Sequence, residues 1–280
     1  MPDPPVELPQ GCVVHVPGVG ELFVRDSGGD GPPLLLLHGW MFPSDLNWFR
    51  AYGPLSDAGY RVLAIDHRGH GRGLRTPEPF SLPACAADAA AVVRMLELGP
   101  VTAVGYSMGG PIASLMARDH PDTVSSLVLG ATAPDWTEPR MKLLWRSMGV
   151  LRLALNVFPL SSWTWGLRRA GFPDNDNTAW VAAELSRGSA RDLAEAGREL
   201  GRFDGRRWIG RLDVPAAVIV TTSDTAVPPR KQYELAECLS ATVFEIDCDH
   251  AGVTVKGAAF ARVLLDAIEA VAPVTLHSQR

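Results

Sequence analysis

Short apolar runs recur along most of the chain and alternate with segments whose apolar residues have helical spacing. The runs lie at residues 34–37, 61–65, 101–104, 126–131, 217–221 and 242–246. The run Leu34–Leu37 is uniformly apolar, which is typical of a strand buried on both faces of a parallel sheet, and the other runs are also predicted to be strands. Helices are predicted between them, at residues 45–57, 83–98, 109–120, 230–239 and 257–271. This alternation predicts an α/β fold, with a mostly parallel sheet and helices on both faces.

The start of the chain has a different pattern. Residues 12–16 and 21–25 alternate apolar and polar side chains around the turn-forming sequence at 17–20, which contains proline and two glycines. Such a pair predicts a β-hairpin with one face toward water.

The β/α alternation breaks between residue 134 and about residue 210. This stretch has no convincing strand, is rich in arginine, and holds six of the eight tryptophans. Because strands are predicted on both sides of it, we interpret it as a helical insertion into one sheet. The predicted organisation is therefore a core formed by residues 1–133 and 211–280, with a cap or lid at residues 134–210.

Composition narrows the class of protein. The 280 residues carry a formal net charge of −5 without a basic run, which argues against a nucleic-acid partner. The beginning of the chain does not resemble a signal peptide, and no apolar run reaches the ~20 residues of a membrane span. The four cysteines lack metal or redox spacing, so we expect free thiols and a cytoplasmic protein.

The candidate chemistry centres on Gly105-Tyr106-Ser107-Met108-Gly109, which follows a predicted strand and precedes a predicted helix. In this setting Gly-x-Ser-x-Gly forms a tight turn that exposes the serine hydroxyl at a helix N-terminus. The glycines are needed because side chains there would collide with the turn. Ser107 is therefore the candidate nucleophile.

A serine nucleophile needs a general base and an acid that orients the base. With this type of turn, the chain order is serine, then Asp or Glu, then histidine. Four of the seven histidines precede Ser107, His120 ends the following helix, and His277 lies in the polar tail at 275–280. His250, in a loop after a predicted strand, is therefore the candidate base.

Two carboxylates follow Ser107 at the ends of predicted strands. Asp224 is preferred as the acid because the Pro228-Pro229 turn into a helix would fix its direction. Asp135 is the alternative, although it also marks the start of the insertion. Asp247 and Asp249, beside His250, are expected to be exposed loop carboxylates.

An oxyanion hole requires two backbone donors. The N–H of Met108, directly after the nucleophile, is one candidate. The second is the N–H of Trp40, in the loop after the leucine strand, where Gly39 allows a sharp turn. His38 is expected to brace this loop, and we also count it among the residues near the substrate.

These motifs together resemble those of cap-bearing α/β-hydrolase fold proteins over nearly the whole chain. The resemblance rests on the residues above and on the loop Asp66-His67-Arg68-Gly69-His70-Gly71. It implies eight core strands with a lid inserted after the sixth. Acyl transfer by the residues named above requires no metal and no organic cofactor. Serine at the nucleophile position, in place of aspartate, argues against haloalkane dehalogenase or epoxide hydrolase chemistry.

The insertion is expected to determine the substrate. Residues 141–155 are apolar with spaced cations, and they fit either a lid helix, which we prefer, or a helix resting on a membrane surface. Collectively the aromatic residues favour a hydrophobic acyl or aromatic substrate. The residues expected to line the pocket are His38, Tyr106, Trp145, Met148, Trp163 and Trp180.

The sequence therefore predicts a serine hydrolase that cleaves a small-molecule carboxylic ester or lactone through an acyl-enzyme. A carbon–carbon bond hydrolase or a cofactor-free perhydrolase or haloperoxidase would use the same three residues. The alternative from another class is a ligand-binding protein that keeps the fold without turnover.

Overall fold

The computed structural model describes residues 2–137, 139–157, 159–169 and 172–272. An eight-stranded sheet in the order β1-β2-β4-β3-β5-β6-β7-β8 runs through it. The strands are β1 Gln10–Val16, β2 Gly20–Asp26, β3 Pro33–Leu37, β4 Arg61–Ile65, β5 Val101–Tyr106, β6 Val124–Gly130, β7 Ala216–Thr221 and β8 Thr242–Ile246. The predicted polar tail at 275–280 lies outside the described residues.

The pairing of the strands confirms the predicted mostly parallel sheet. β1 and β2 form the antiparallel hairpin, and β2 pairs antiparallel with β4. From β4 through β8 the pairs are parallel. Parallel neighbours bring the carboxyl ends of β3, β5 and β7 to one edge of the sheet, where the candidate residues follow each strand.

Twelve α-helices are assigned within the described ranges, and the prediction of one helix over 45–57 is wrong. Two short helices are present there, because Pro54 has no N–H to continue a helix from the preceding turn. The helices are α1 Ser44–Trp48, α2 Tyr52–Asp57, α3 Leu82–Met95, α4 Gly109–Asp119, α5 Pro139–Arg146, α6 Met148–Val157, α7 Pro159–Arg169, α8 Asp176–Leu185, α9 Ala190–Leu200, α10 Pro229–Leu239, α11 Gly252–Val255 and α12 Gly257–Val271.

The core lies on both faces of the sheet, as the leucine run of β3 requires. Leu35 and Leu37 join the cluster that contains α3 and α4, whereas Leu34 and Leu36 join the opposite cluster with α12. Successive side chains of a strand point to opposite faces, so a strand covered by helices on both sides must be apolar throughout.

Five helices, α5 to α9, lie between β6 and β7, where the sequence predicts the insertion. The two ends of this segment are joined by backbone hydrogen bonds, from Trp136 to Phe203 (3.1 Å) and from Gly205 to Pro134 (2.8 Å). A bidentate ion pair between Arg72 and Glu184, with both N···O distances 2.9 Å, links the loop after β4 to α8. The segment between β6 and β7 therefore begins and ends at neighbouring positions.

The four cysteines, all within the described ranges, are free thiols. None of the helices in the described part of the chain is long and apolar enough to cross a bilayer.

Candidate active site

Ser107 occupies the tight turn between β5 and α4. Its φ is +53°, a left-handed conformation that is uncommon for a residue other than glycine. The turn is held by three bonds: the Ser107 N–H donates to the carbonyl of Gly130 (2.9 Å), and the Ser107 carbonyl accepts from the Gly110 N–H (2.9 Å) and from Thr132 Oγ1 (2.8 Å). Such strain persists only where the surroundings hold it, and it is common at functional sites.

The glycines on either side of Ser107 are required by close backbone contacts. A Cβ at Gly105 would collide with the backbone of Gly109, and a Cβ at Gly109 would collide with the carbonyl of Leu37. The local reason for the Gly-x-Ser-x-Gly pattern is therefore steric, because the turn packs directly against its own helix and against β3.

His250 reaches Ser107 from the loop after β8. Its Nε2 lies 3.0 Å from Ser107 Oγ, within hydrogen-bond distance. The loop is held by Tyr106, whose hydroxyl donates to the carbonyl of His250 (2.7 Å), and by Asp249, which accepts from the His250 N–H (2.7 Å). Residues far apart in the sequence thus meet because their strands end at the same edge of the sheet.

Asp224 completes this arrangement. Its Oδ2 lies 2.8 Å from His250 Nδ1 and also accepts from Thr221 Oγ1 at 2.8 Å. Its Oδ1 accepts from the backbone N–H groups of Ala226 and Val227, each at 2.8 Å. A carboxylate can only accept, so Nδ1 is the donor and Nε2 is left to accept from the serine hydroxyl.

The alternative acid, Asp135, lies elsewhere. It is buried, forms an ion pair with Lys231 and accepts from Thr137 Oγ1 (2.7 Å). These bonds hold the pKa of Asp135 below its ordinary value although burial opposes this. Asp249 accepts from the backbone N–H of Thr225 (2.8 Å), the main cause of its lowered pKa. Asp249 therefore braces the histidine loop.

The loop after β3 passes directly beside the nucleophile. A Cβ built on Gly39 would lie 3.2 Å from the Ser107 Cβ, so glycine permits this approach. The Gly39 N–H donates to Asn47 Oδ1 (3.0 Å), and the Trp40 indole donates to the carbonyl of Leu193 in α9 (2.8 Å). Met108, at the N-terminus of α4, is fully buried.

His38 does not reach the pocket, so its assignment as a substrate-binding residue is wrong. Its ring is fully buried behind the loop, where Nε2 accepts from the His67 N–H (2.9 Å) and Nδ1 lies 2.8 Å from the Gly39 carbonyl. This is the bracing role. The rings of His67 and His70 pack against it, with centroids 4.2 and 5.2 Å away.

This histidine cluster predicts acid sensitivity. Burial lowers the pKa of His38 to about 4 and that of His70 to about 3, and lowers the pKa of His67 well below its ordinary value. Below pH ~6.5 the unfolded chain therefore binds protons that the folded chain does not bind. The free energy of unfolding falls as the pH drops. We expect each ring to remove about 2 kcal/mol of unfolding free energy between pH 7 and pH 5.

Urea denaturation at a series of pH values measures this loss. His70→Phe should reduce the slope of unfolding free energy against pH. Equal stability of the wild-type protein at pH 7 and pH 5 would contradict the prediction.

A largely apolar cavity of about 360 Å³ opens above Ser107 and His250. The core supplies Trp40, Tyr106 and Val253, and the insertion supplies Leu144, Trp145 and Leu200. The rings of Trp40 and Trp145 meet edge to face, 5.5 Å apart. A cavity of this size and lining fits a small apolar group beside the serine.

Three predicted pocket residues lie elsewhere. Met148 is buried between α6 and α9, beside Gly197. Trp180 packs edge to face on Phe49 with centroids 5.4 Å apart, and Trp163 packs against the same cluster. Their assignment to the pocket is wrong because each covers the interior of the insertion or its junction with α1. Tyr106 and Trp145 do line the cavity.

Sequence reasoning missed several apolar lining residues, among them Phe42, Trp136, Leu144 and Leu200. Trp136 carried a usable signal, since it follows β6 just beyond the strand's carboxyl end. Leu144 and Leu200 carried none, because their place depends on how α5 and α9 pack.

Known proteins resemble this chain in sequence and in fold. The sequence profile of the alpha/beta hydrolase fold matches residues 32–255. Over 258 residues the chain is 31% identical to a pimeloyl-[acyl-carrier protein] methyl ester esterase of Chromobacterium violaceum, covering 89% of this chain and 98% of the relative. Over 116 residues it is 42% identical to a non-heme haloperoxidase of Rhodococcus erythropolis, covering 41% of this chain and 42% of that protein.

Among solved structures, the enol-lactonase of Burkholderia xenovorans LB400 superposes with a TM-score of 0.78 at 22% identity, covering 92% of this chain and all of that one. This similarity bears on the fold alone. The profile match and the esterase relative show that the chain belongs to the alpha/beta hydrolase fold family.

Proposed function

We propose that the protein is a serine hydrolase that cleaves a carboxylic ester or lactone with a hydrophobic acyl or aromatic group. The observation that carries this proposal is the continuous chain of contacts from Ser107 Oγ through both ring nitrogens of His250 to Asp224. In this arrangement a serine becomes a nucleophile at neutral pH.

In the proposed reaction, Ser107 Oγ attacks the carbonyl carbon while His250 Nε2 takes the hydroxyl proton. Asp224 holds the ring tautomer and stabilises the imidazolium. The tetrahedral intermediate collapses, His250 returns the proton to the leaving alcohol, and an acyl-enzyme remains. Water, activated by the same histidine, then releases the acid.

The intermediate's oxyanion requires donors beside Ser107. We assign this role to the N–H groups of Met108, at the N-terminus of α4, and Trp40, in the loop that Gly39 brings against the serine. Each such donor stabilises the transition state by about 3 kcal/mol.

The segment 134–210 is proposed to act as the cap that selects the substrate. It supplies Trp136, Leu144, Trp145 and Leu200 to a cavity otherwise built from the core. The esterase name of the relative that spans most of the chain favours an ester as the substrate. The free thiols support a reducing compartment such as the cytoplasm.

A series of p-nitrophenyl esters tests the proposal. We expect hydrolysis with a preference for short to medium acyl chains, because the cavity is near the lower end of the ~300–1,000 Å³ typical of ligand pockets. Trp145→Ala should shift the preference in kcat/KM toward longer chains by opening the wall of the cavity. Trp163→Ala, outside the cavity, should leave the order of substrates unchanged.

The haloperoxidase relative motivates a second candidate, a perhydrolase, in which hydrogen peroxide replaces water as the acceptor of the acyl group. Peracid formation from acetate and peroxide without hydrolysis of any ester in the series would favour that activity. Cleavage of a vinylogous diketone would favour a carbon–carbon hydrolase. Failure of a fluorophosphonate to label Ser107 would favour a binding protein without turnover.

A further inference from the structure

The charge of the insertion differs in sign from that of the rest of the chain. Residues 139–173 contain no Asp or Glu and hold six cations: Arg140, Lys142, Arg146, Arg152, Arg168 and Arg169. Because the whole chain carries −5, the remaining residues together carry −11. This segregation places a cationic segment, α5 to α7, on an otherwise acidic protein.

The same three helices present aliphatic and aromatic side chains to solvent. Leu143 is 77% exposed, Val150 72%, Leu153 65% and Trp165 65%. We define the outer cap face as the exposed apolar and cationic residues of α5 to α7: Leu143, Arg146, Val150, Arg152, Leu153, Val157, Leu160, Trp165, Arg168 and Arg169. Exposed apolar side chains in this number on three consecutive helices indicate a binding partner.

Helix α6 has two apolar stripes, one packed against the protein and one on the outer cap face. Met148 and Leu155 are buried and satisfy the helix's contact with the protein. Val150, Leu153 and Val157 repeat the same helical spacing on the exposed side. A surface helix needs one apolar stripe for folding, so the second stripe is unexplained by the fold.

Cations stand among these apolar residues. Arg152 lies between Val150 and Leu153 in sequence, and the guanidinium of Arg169 lies over the ring of Trp165, 5.6 Å from its centroid. Arg168 reaches toward the following loop and pairs with Asp174 at 2.6 Å, where both side chains are more than half exposed. Long cationic side chains beside tryptophan and leucine are typical of helices at the surface of an anionic bilayer.

The outer cap face also adjoins the entrance to the catalytic cavity. Leu144 follows Leu143 in α5, is 40% exposed, and lines the cavity above Ser107. Trp145, the next residue, lines the same cavity and also a second depression bordered by Arg146, Arg198 and Arg202. A surface bound to α5 would therefore lie beside the catalytic cavity.

We propose that the outer cap face docks reversibly on an anionic lipid surface. The exposed aliphatic side chains enter the boundary between headgroups and acyl chains, and the arginines contact the headgroup phosphates. A fluid lipid layer is favoured over an acidic protein because it accepts apolar side chains on three helices without a complementary shape. The proposal goes beyond the esterase activity and does not depend on it.

The test is co-sedimentation of the full chain with vesicles of phosphatidylglycerol and phosphatidylcholine in equal parts, or of phosphatidylcholine alone. Sedimentation is measured for the wild-type protein and for Ser107→Ala, so that binding is scored without turnover. We expect binding to the anionic vesicles only, weakened by salt. Arg152→Gln should weaken it by about fivefold.

Matched variants separate the two contributions. Leu153→Ser should weaken binding several-fold, whereas Val13→Ser, at a 61% exposed position of β1, should not change it. Arg262→Gln, at an exposed site on α12, is the control for Arg152→Gln.

Absence of binding to anionic vesicles would overturn the proposal. Binding that is insensitive to Leu153→Ser would overturn it as well, since charge alone would then suffice. The protein could instead self-associate as its concentration rises, without binding vesicles. If Leu153→Ser abolished that self-association, the outer cap face would be assigned to a second copy of the chain. Capture by polyglutamate in place of vesicles would assign it to an acidic protein.

Discussion

Replacing Ser107 with alanine is expected to lower kcat for p-nitrophenyl ester hydrolysis by about a million-fold. The hydroxyl is the atom that forms the acyl-enzyme, and no neighbouring group can take its place. His250 would keep its contact with Asp224 but would have no proton to accept from the nucleophile. Alanine fits the same backbone conformation, so the variant should fold and bind substrate.

Ser114→Ala is the matched control for this variant. Ser114 is also a buried serine of the α4 segment, on a later turn and away from the cavity. Its replacement should leave kcat within a few-fold of the wild-type value. A fluorophosphonate should label the wild-type protein and Ser114→Ala but not Ser107→Ala. Ester hydrolysis that survives Ser107→Ala would refute the assignment of the nucleophile.

The second large effect is expected from Asp224→Asn, with kcat lowered by about ten-thousand-fold. The asparagine oxygen would remain with the backbone donors of Ala226 and Val227, which leaves the amide NH₂ facing His250 Nδ1. The ring would then accept at Nδ1 and carry its proton on Nε2, so it could not take the proton of Ser107. The defect should appear in kcat while the structure stays intact.

Asp135→Asn distinguishes the two candidate acids. Asp135 pairs with Lys231 and anchors the beginning of the insertion, so its amide variant should lower the melting temperature while activity per folded molecule is kept. Circular dichroism and active-site titration separate the two effects. A loss of kcat in Asp135→Asn with Asp224→Asn fully active would show that the wrong carboxylate was chosen.

The turn at Ser107 could be read from the sequence because its requirements are local. A side chain at Gly105 or Gly109 would collide with atoms of the turn or of β3. The apolar spacing of the residues before and after the turn predicts the flanking strand and helix. The order of Ser107, Asp224 and His250 could be proposed for a related reason. Each residue follows a β-strand or lies in the turn after one, and the carboxyl ends of parallel strands lie at the same edge of the sheet.

The sequence predicts the lining of the pocket less accurately. Trp145 faces the cavity, whereas Trp163 and Trp180 lie in the interior of the insertion. All three are tryptophans in helix-forming sequence, so composition alone does not separate them. Which face of a lid helix meets the active site depends on how α5 to α9 pack against each other and against the core.

The sequence by itself determined the mostly parallel sheet, the helical segment between β6 and β7 and the candidate nucleophile, because apolar periodicity and tight-turn sterics act over a few residues. Only the tertiary structure decided that His38 braces a buried loop, that Asp135 pairs with Lys231, and which residues line the cavity. It also decided that α6 presents a second apolar stripe to solvent. These features depend on contacts between segments far apart in the chain, and local sequence patterns do not predict such contacts.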